Sequence, residues 1–368
     1  MIRELKYKPD FGKTVDRFEA WWHQEIIDRP PIMCGCRRVY EAPQPPKKTF
    51  ASDKERWFDV EYHVDSATAG LEGLEFFGDS YPLFWPNMGP EIAAVPFGVD
   101  VQFGDWTTWS IPIVKKPEDW QTIIDKPLDF ENPIWKAMER MADYAIKVSD
   151  GKFVVGITDL HGNYDILAAL RDPQHLCMDL IDCPELLDKA CEKAVACYLE
   201  CFDRCWARSK AAGYGSATWC PAYHEGRGYI PSCDFWCMTS LEMGKARIWP
   251  FVEKEIKALS RSHFHLDGPN ALKFLDLLLE CPELNSVQWV YGAGNGPGSK
   301  WMDVYRRIHA AGKSMELWAD SPKQCLELIE EFGPEGLWLS TGGFDSKESA
   351  DAFLKDAEKV SAKHRRKK

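Results

Sequence analysis

Between residues 261 and 319 the chain alternates short apolar runs with amphipathic ones, and this alternation limits the fold more than any other feature. Strand-like runs at 263–267, 287–291 and 314–318 are separated by helical patterns at 269–279 and 300–312. Strands alternating with helices build a parallel sheet through right-handed crossovers. Elsewhere the same reading places strands at 31–36, 81–85, 153–159, 215–219 and 337–341, with helical patterns at 54–76, 184–212, 240–260, 322–332 and 346–362. Eight such units predict a (β/α)8 TIM barrel, formed by residues 1–368 as a single domain. Such barrels span about 200 to over 400 residues. The link between the second and third strands, about 88–150, is too long for a simple crossover. Its run VDVQFGDWTTWSIPIV alternates on both sides of Gly104-Asp105 and predicts a hairpin. Such an insertion either caps the barrel mouth or is peripheral.

Composition excludes several function classes. With 45 basic against 57 acidic residues the net charge is −12, opposite to what phosphate-backbone binding needs. The basic end, 364–368, reads as a solvated tail. No run approaches the ~18 apolar residues of a membrane span, and the first residues have no signal-peptide core. Thirteen cysteines without an export signal predict reduced thiols in the cytoplasm. Cys197, Cys201 and Cys205 recur every four residues on one helical pattern, as an apolar stripe would. The glycine-rich loop 292–300 fits neither common phosphate-loop pattern.

In a β/α barrel, chemistry gathers at the C-terminal ends of the strands. His263, His265 and Asp267 share one strand face, because side chains alternate with a period of two. Glu316 and Trp318 close the strand two units later. An imidazole and a carboxylate two residues apart can both reach one ion, and zinc accepts both. His265, Asp267 and Glu316 are therefore candidate metal ligands; the alternative is a hydrogen-bonded polar cluster inside the barrel. Asp159 and His161 follow the third strand, where they can act as base and acid or hydrogen-bond a substrate; the alternative is capping of the next helix by Asp or Asn. His224 follows the fourth strand. Trp85, Trp219, Trp289 and Trp318 fall near strand ends and predict a stacking wall, with Asn87 and Gln288 as polar contacts beside it.

The run HLDGPNALKFLDLLLECPELNSVQWVYGAGNGPGSKW, with GITDLHGNYDILAALRDPQHLCMDLIDCPELL and DFWCMTSLEM upstream, resembles the uroporphyrinogen decarboxylase-like superfamily. That superfamily includes uroporphyrinogen decarboxylases and corrinoid-dependent methyltransferases. The resemblance covers roughly 55–90 and 150–360. It implies a barrel enzyme and, for the methyltransferase branch, a cobalamin-type corrinoid supplied by a partner protein. Its thiol-methylating members bind zinc through His-x-Cys and a later Cys. Here His265 matches the histidine, Asp267 stands at the first cysteine position, and 339–343 has no cysteine. Carboxylates in place of thiolates make a harder site, suited to an oxygen-bearing methyl donor. Asp79 stands near the decarboxylase branch's catalytic aspartate, but the arginine-rich loop of that branch is only partly matched by Cys36-Arg37-Arg38.

The combined expectation is a metal-assisted methyltransferase. It would move a methyl group from a small O-methylated substrate to a corrinoid protein, with neither nucleic acid nor membrane as partner. Three alternatives remain: a metal-free decarboxylase or lyase acting on a small acid through Asp79 and nearby arginines, a barrel that only binds a ligand, and a hydrolase with metal on His263 and His265.

Overall fold

The computed structural model describes residues 1–45 and 47–366. Lys367 and Lys368, at the end of the expected basic tail, lie outside the described residues.

Five parallel strands form the centre of the sheet. In spatial order they are Ile32–Arg38, Leu337–Ser340, Ser314–Trp318, Ser286–Val290 and Arg261–Asp267. Gly228–Tyr229 adds a short parallel edge to Arg261–Asp267. At the other edge Leu74–Gly78 pairs antiparallel with Ile32–Arg38. Leu83–Phe84 and Val154–Val155 form a separate parallel pair. Helices cover the sheet. The expected helices at 322–332 and 346–362 appear as Pro322–Phe332, capped by Ser321, and Lys347–His364, capped by Ser346.

A closed ladder of eight strands is not found among the described residues. The expected strand 81–85 shrinks to Leu83–Phe84, because Pro82 and Pro86 on either side have no N–H to donate. The expected strand 215–219 keeps only an antiparallel bridge between Ser216 and His224. Backbone hydrogen bonds still join these segments to their neighbours, from Val154 N to Pro82 O, Gly156 N to Phe84 O and Ile157 N to Ala217 O. The expected helix 54–76 is two helices, Asp53–Phe58 and Val60–Leu71, followed by the antiparallel strand; Gly73 makes the turn at φ +77°. Pro250, which cannot donate into a helix, accompanies a π-type turn at Gly244–Ile248 within the expected helix 240–260.

Two features of the chain position the site. The hairpin expected around Gly104-Asp105 is present as Asp100–Phe103 paired with Thr108–Ile111. The helix Phe11–Trp22, which was not anticipated, packs against the strand starts: Trp21 donates from Nε1 to Gly336 O, and Ser314 Oγ donates to Trp21 O. Its apolar face, Phe11, Val15, Phe18 and Trp22, follows helical spacing and is buried. Cys197, Cys201 and Cys205 are buried along Pro184–Ala211, as the apolar-stripe reading requires. No described helix is long and apolar enough to cross a membrane.

Candidate active site

Strand register sets the centre of the site. His265 is aligned with Gln288, and Gln288 with Glu316, so three neighbouring strands bring one polar row together. Glu316 as a carboxylate can only accept, so the Gln288 amide turns its Nε2 toward Oε2 at 2.6 Å. Its other end, Oε1, then accepts from His265 Nδ1 at 2.5 Å. This fixes the proton on Nδ1 and leaves the His265 Nε2 lone pair free. The Trp219 ring meets the His265 ring edge to face, centroids 5.2 Å apart. Two residues earlier on the same strand, buried His263 bonds through Nδ1 to Ser286 Oγ at 2.8 Å.

Toward the strand ends, His265 and Asp267 meet Asp234. One ligand atom from each lies within 4.8 Å of the others. An imidazole and two carboxylates can hold a divalent cation. Partial desolvation and the nearby Asp165 carboxylate push the half-exposed Asp234 carboxyl up to about 6, although His161 and His265 pull it the other way.

His161 lies beside this group, 3.5 Å from Asp159, 3.6 Å from Asp165 and 3.8 Å from Asp234. Burial opposes its charge, but the Asp159 and Asp165 carboxylates prevail and hold its pKa well above the ordinary histidine value. Asp165 is fixed in turn by the backbone N–H groups of Asp234 and Phe235, at 3.0 and 2.8 Å. Behind His161, buried Glu255 accepts from the Asn163 backbone and side chain, both at 2.7 Å. Asn163 Nδ2 also donates to Ser232 O. A Cβ at Gly162 would overlap the Glu255 carboxylate, so only glycine fits that turn.

Two cavities meet at His161. One, of about 240 Å³, is lined by Asp159, His161, Trp219, Ile230, Ser232 and His265. The other, of about 390 Å³, is mostly apolar, with Ile166, Ala169 and Phe235 on its wall beside His161 and Asp165. Glu91 and Ser110, both from the long insertion, complete that wall. The insertion therefore faces a pocket.

The structure divides the expected metal triad. His265 and Asp267 come together, but with Asp234 as their third member. Glu316 lies deeper and reaches His265 through Gln288. Asp159, His161 and Trp219 line the smaller cavity. Asp79 does not: it is fully buried, its oxygens engaged by Arg17, Arg29 and the Ile32 N–H. Burial alone would raise its pKa, but the two arginines hold it at about 2. His224 bonds to Glu19 and to Ser260, just before strand Arg261–Asp267 begins, so it stands at the opposite end of the strands. Trp289 faces away from Gln288 into the core, against Trp301 at 5.1 Å. Trp85 and Asn87 are half-buried and line neither cavity; Asn87 Oδ1 accepts from Gly89 N. Trp318 is 42 % exposed at its strand end. Asp165 was within reach of sequence reasoning, four residues after His161 at a helix start. Asp234 and Glu255 were not, since nothing local marks them.

Comparison with models of known protein families finds no match, and no curated protein matches either. A solved structure does: a methyltransferase from Methanosarcina mazei, at TM-score 0.58 and 14% identity, with 94% of this chain and 98% of that chain covered. The chain shares its fold. At this identity the likeness speaks for the arrangement of the backbone from end to end, and the residues carry the chemistry separately.

Proposed function

We propose that this protein is a methyltransferase that takes a methyl group from a small O-methylated substrate, the acceptor being a reduced corrinoid on a separate protein. The observation that carries this reading is that His161 and His265 line the same cavity, in a fold shared with a methyltransferase along nearly its whole length. The architecture it assumes is a (β/α)8 barrel closed through the segments 81–85 and 215–219.

The donor set fits a hard divalent cation better than a thiol-bound one, because it offers two carboxylates and one imidazole with a prepared lone pair. His265, Asp267 and Asp234 would hold it, and zinc there would supply Lewis acidity to the substrate oxygen. The protein's own groups do the rest. The apolar walls of the larger cavity exclude water from the substrate body. His161, charged and held by Asp159 and Asp165, is placed to give a proton to the oxygen as the C–O bond breaks. On methyl transfer to the corrinoid the bonding pair would stay on oxygen, and the His161 proton would neutralise it. The decarboxylase alternative rested on Asp79, whose carboxylate is taken up by Arg17 and Arg29.

The test combines metal content with a transfer assay. Wild-type protein and His265→Ala are loaded with zinc, and methoxylated donors are screened for consumption of cob(I)alamin. The reading requires the variant to hold one equivalent less than wild type and to lose donor-dependent consumption. Equal metal content in both, or no consumption with any donor, would count against it.

A further inference from the structure

A second group of donors shares Glu316 with the polar row, and the proposed chemistry uses none of its members as a metal ligand. Cys220, His263 and Glu316 are all buried, and one ligand atom from each lies within 4.8 Å of the others. Glu316 Oε2 stands 3.4 Å from His263 Nε2 and 3.7 Å from Cys220 Sγ. The first distance is long for a charge-assisted hydrogen bond, which prefers about 2.7–2.9 Å. The first falls within, and the second about 0.1 Å beyond, the separation of two ligands on one tetrahedral ion. With zinc bonds of about 2.0 Å to nitrogen or oxygen and 2.3 Å to sulfur, adjacent ligands stand about 3.3–3.6 Å apart.

We propose that Cys220, His263 and Glu316 form a buried site for one transition-metal ion of the zinc class, distinct from the group at the strand ends. Three further observations support it. Glu316 is a buried carboxylate that no lysine or arginine pairs with among the described residues, so a cation would supply the missing charge. His263 is already held as a ligand would be: Nδ1 bonds to Ser286 Oγ, which presents Nε2 toward Glu316. The Trp21 and Trp338 rings pack on the imidazole at 5.5 and 5.8 Å and make a dry shell. Mixed sulfur, nitrogen and oxygen donors select zinc or cobalt over magnesium or calcium. Cys220 binds as thiolate, its proton passing to solvent when the ion enters. Gln288 bonds Glu316 from above, so the ion would be coupled to His265 through one amide.

Sulfur separates this site from the one at the strand ends, which contains none. The full-length protein is produced in cobalt-supplemented medium and examined for a thiolate-to-cobalt charge-transfer band in the near ultraviolet. Wild type should show it with about one equivalent of sulfur-bound cobalt. Asp267→Asn should keep it, and Cys220→Ser should lose it while retaining native circular dichroism. Should the serine variant not fold, Cys220→Ala replaces it, since a small apolar side chain suits the buried position. No band in wild type, or a band that survives loss of the Cys220 sulfur, overturns the proposal. Loss of the band in Asp267→Asn overturns the separateness of the two sites. Failure of methyl transfer affects none of these readings.

Discussion

His265 Nδ1 lies 2.5 Å from Gln288 Oε1, and this contact decides which ring nitrogen of His265 is free. The Gln288 amide cannot turn round, because its Nε2 is committed to Glu316 at 2.6 Å. A carboxylate thus sets a histidine tautomer from two strands away, with a neutral amide between them. Glu316, expected as a ligand beside His265, acts on it at one remove.

Replacing Gln288 by Leu removes the acceptor for His265 Nδ1–H and the donor to Glu316. Supporting contacts of this kind are worth about 10–100-fold in metal affinity. Zinc affinity of the strand-end group, measured against a competing chelator, should fall by that amount. Unchanged affinity would mean that Gln288 does not orient His265.

Substitution of His161 by Gln keeps the size of the side chain and removes its proton. A positioned general acid contributes about 10²–10⁴-fold to rate, so kcat should drop within that range while KM changes little. The sign of the pH dependence follows from the raised pKa. The acid form is present through neutral pH, so wild-type kcat should hold there and fall only as pH rises through the raised value. A decline centred at the ordinary histidine pKa would contradict the cluster geometry.

Asp79→Asn leaves buried Arg17 and Arg29 without their shared carboxylate. Removing one partner of a buried ion pair costs about 3–5 kcal/mol. The folded pKa is depressed from 3.8 to about 2. Wild type therefore gains stability from this group above the unfolded value and loses it as pH falls through the folded one. Denaturant unfolding between pH 4 and pH 2 should show that acid limb in wild type and a flatter one in the variant. Substrate turnover by the folded variant would separate this structural role from a catalytic one.

Glu255 predicts the opposite slope. Burial pushes its carboxyl from 4.5 up to about 8, against the two Asn163 hydrogen bonds. The folded state then keeps a proton that the unfolded state has lost, so stability is highest below 4.5 and declines as pH rises to about 8. The slope can reach about 1.4 kcal/mol per pH unit. Glu255→Gln should abolish it, at the expense of about 1 kcal/mol for the hydrogen bond that the amide cannot accept. A slope that persists in the variant would point to another group.

What the sequence determined by itself was local. Period-two alternation places His263, His265 and Asp267 on one strand face, and the cap residues Ser321 and Ser346 set the starts of the last two helices. Gly104-Asp105 marks the hairpin for the same reason: turns and caps are decided by neighbouring residues. The tertiary structure decided everything that depends on partners distant in sequence. Asp79 resembles a catalytic aspartate until Arg17 and Arg29 enclose it, and His224 looks like a mouth residue until Ser260 shows which end of the strand it faces. Asp234 joins His265 and Asp267 from a separate loop, and Gln288 meets Glu316 only because parallel register aligns them. Register and loop docking are fixed by hydrogen bonds and packing between distant segments, so the pattern within a single segment cannot specify them.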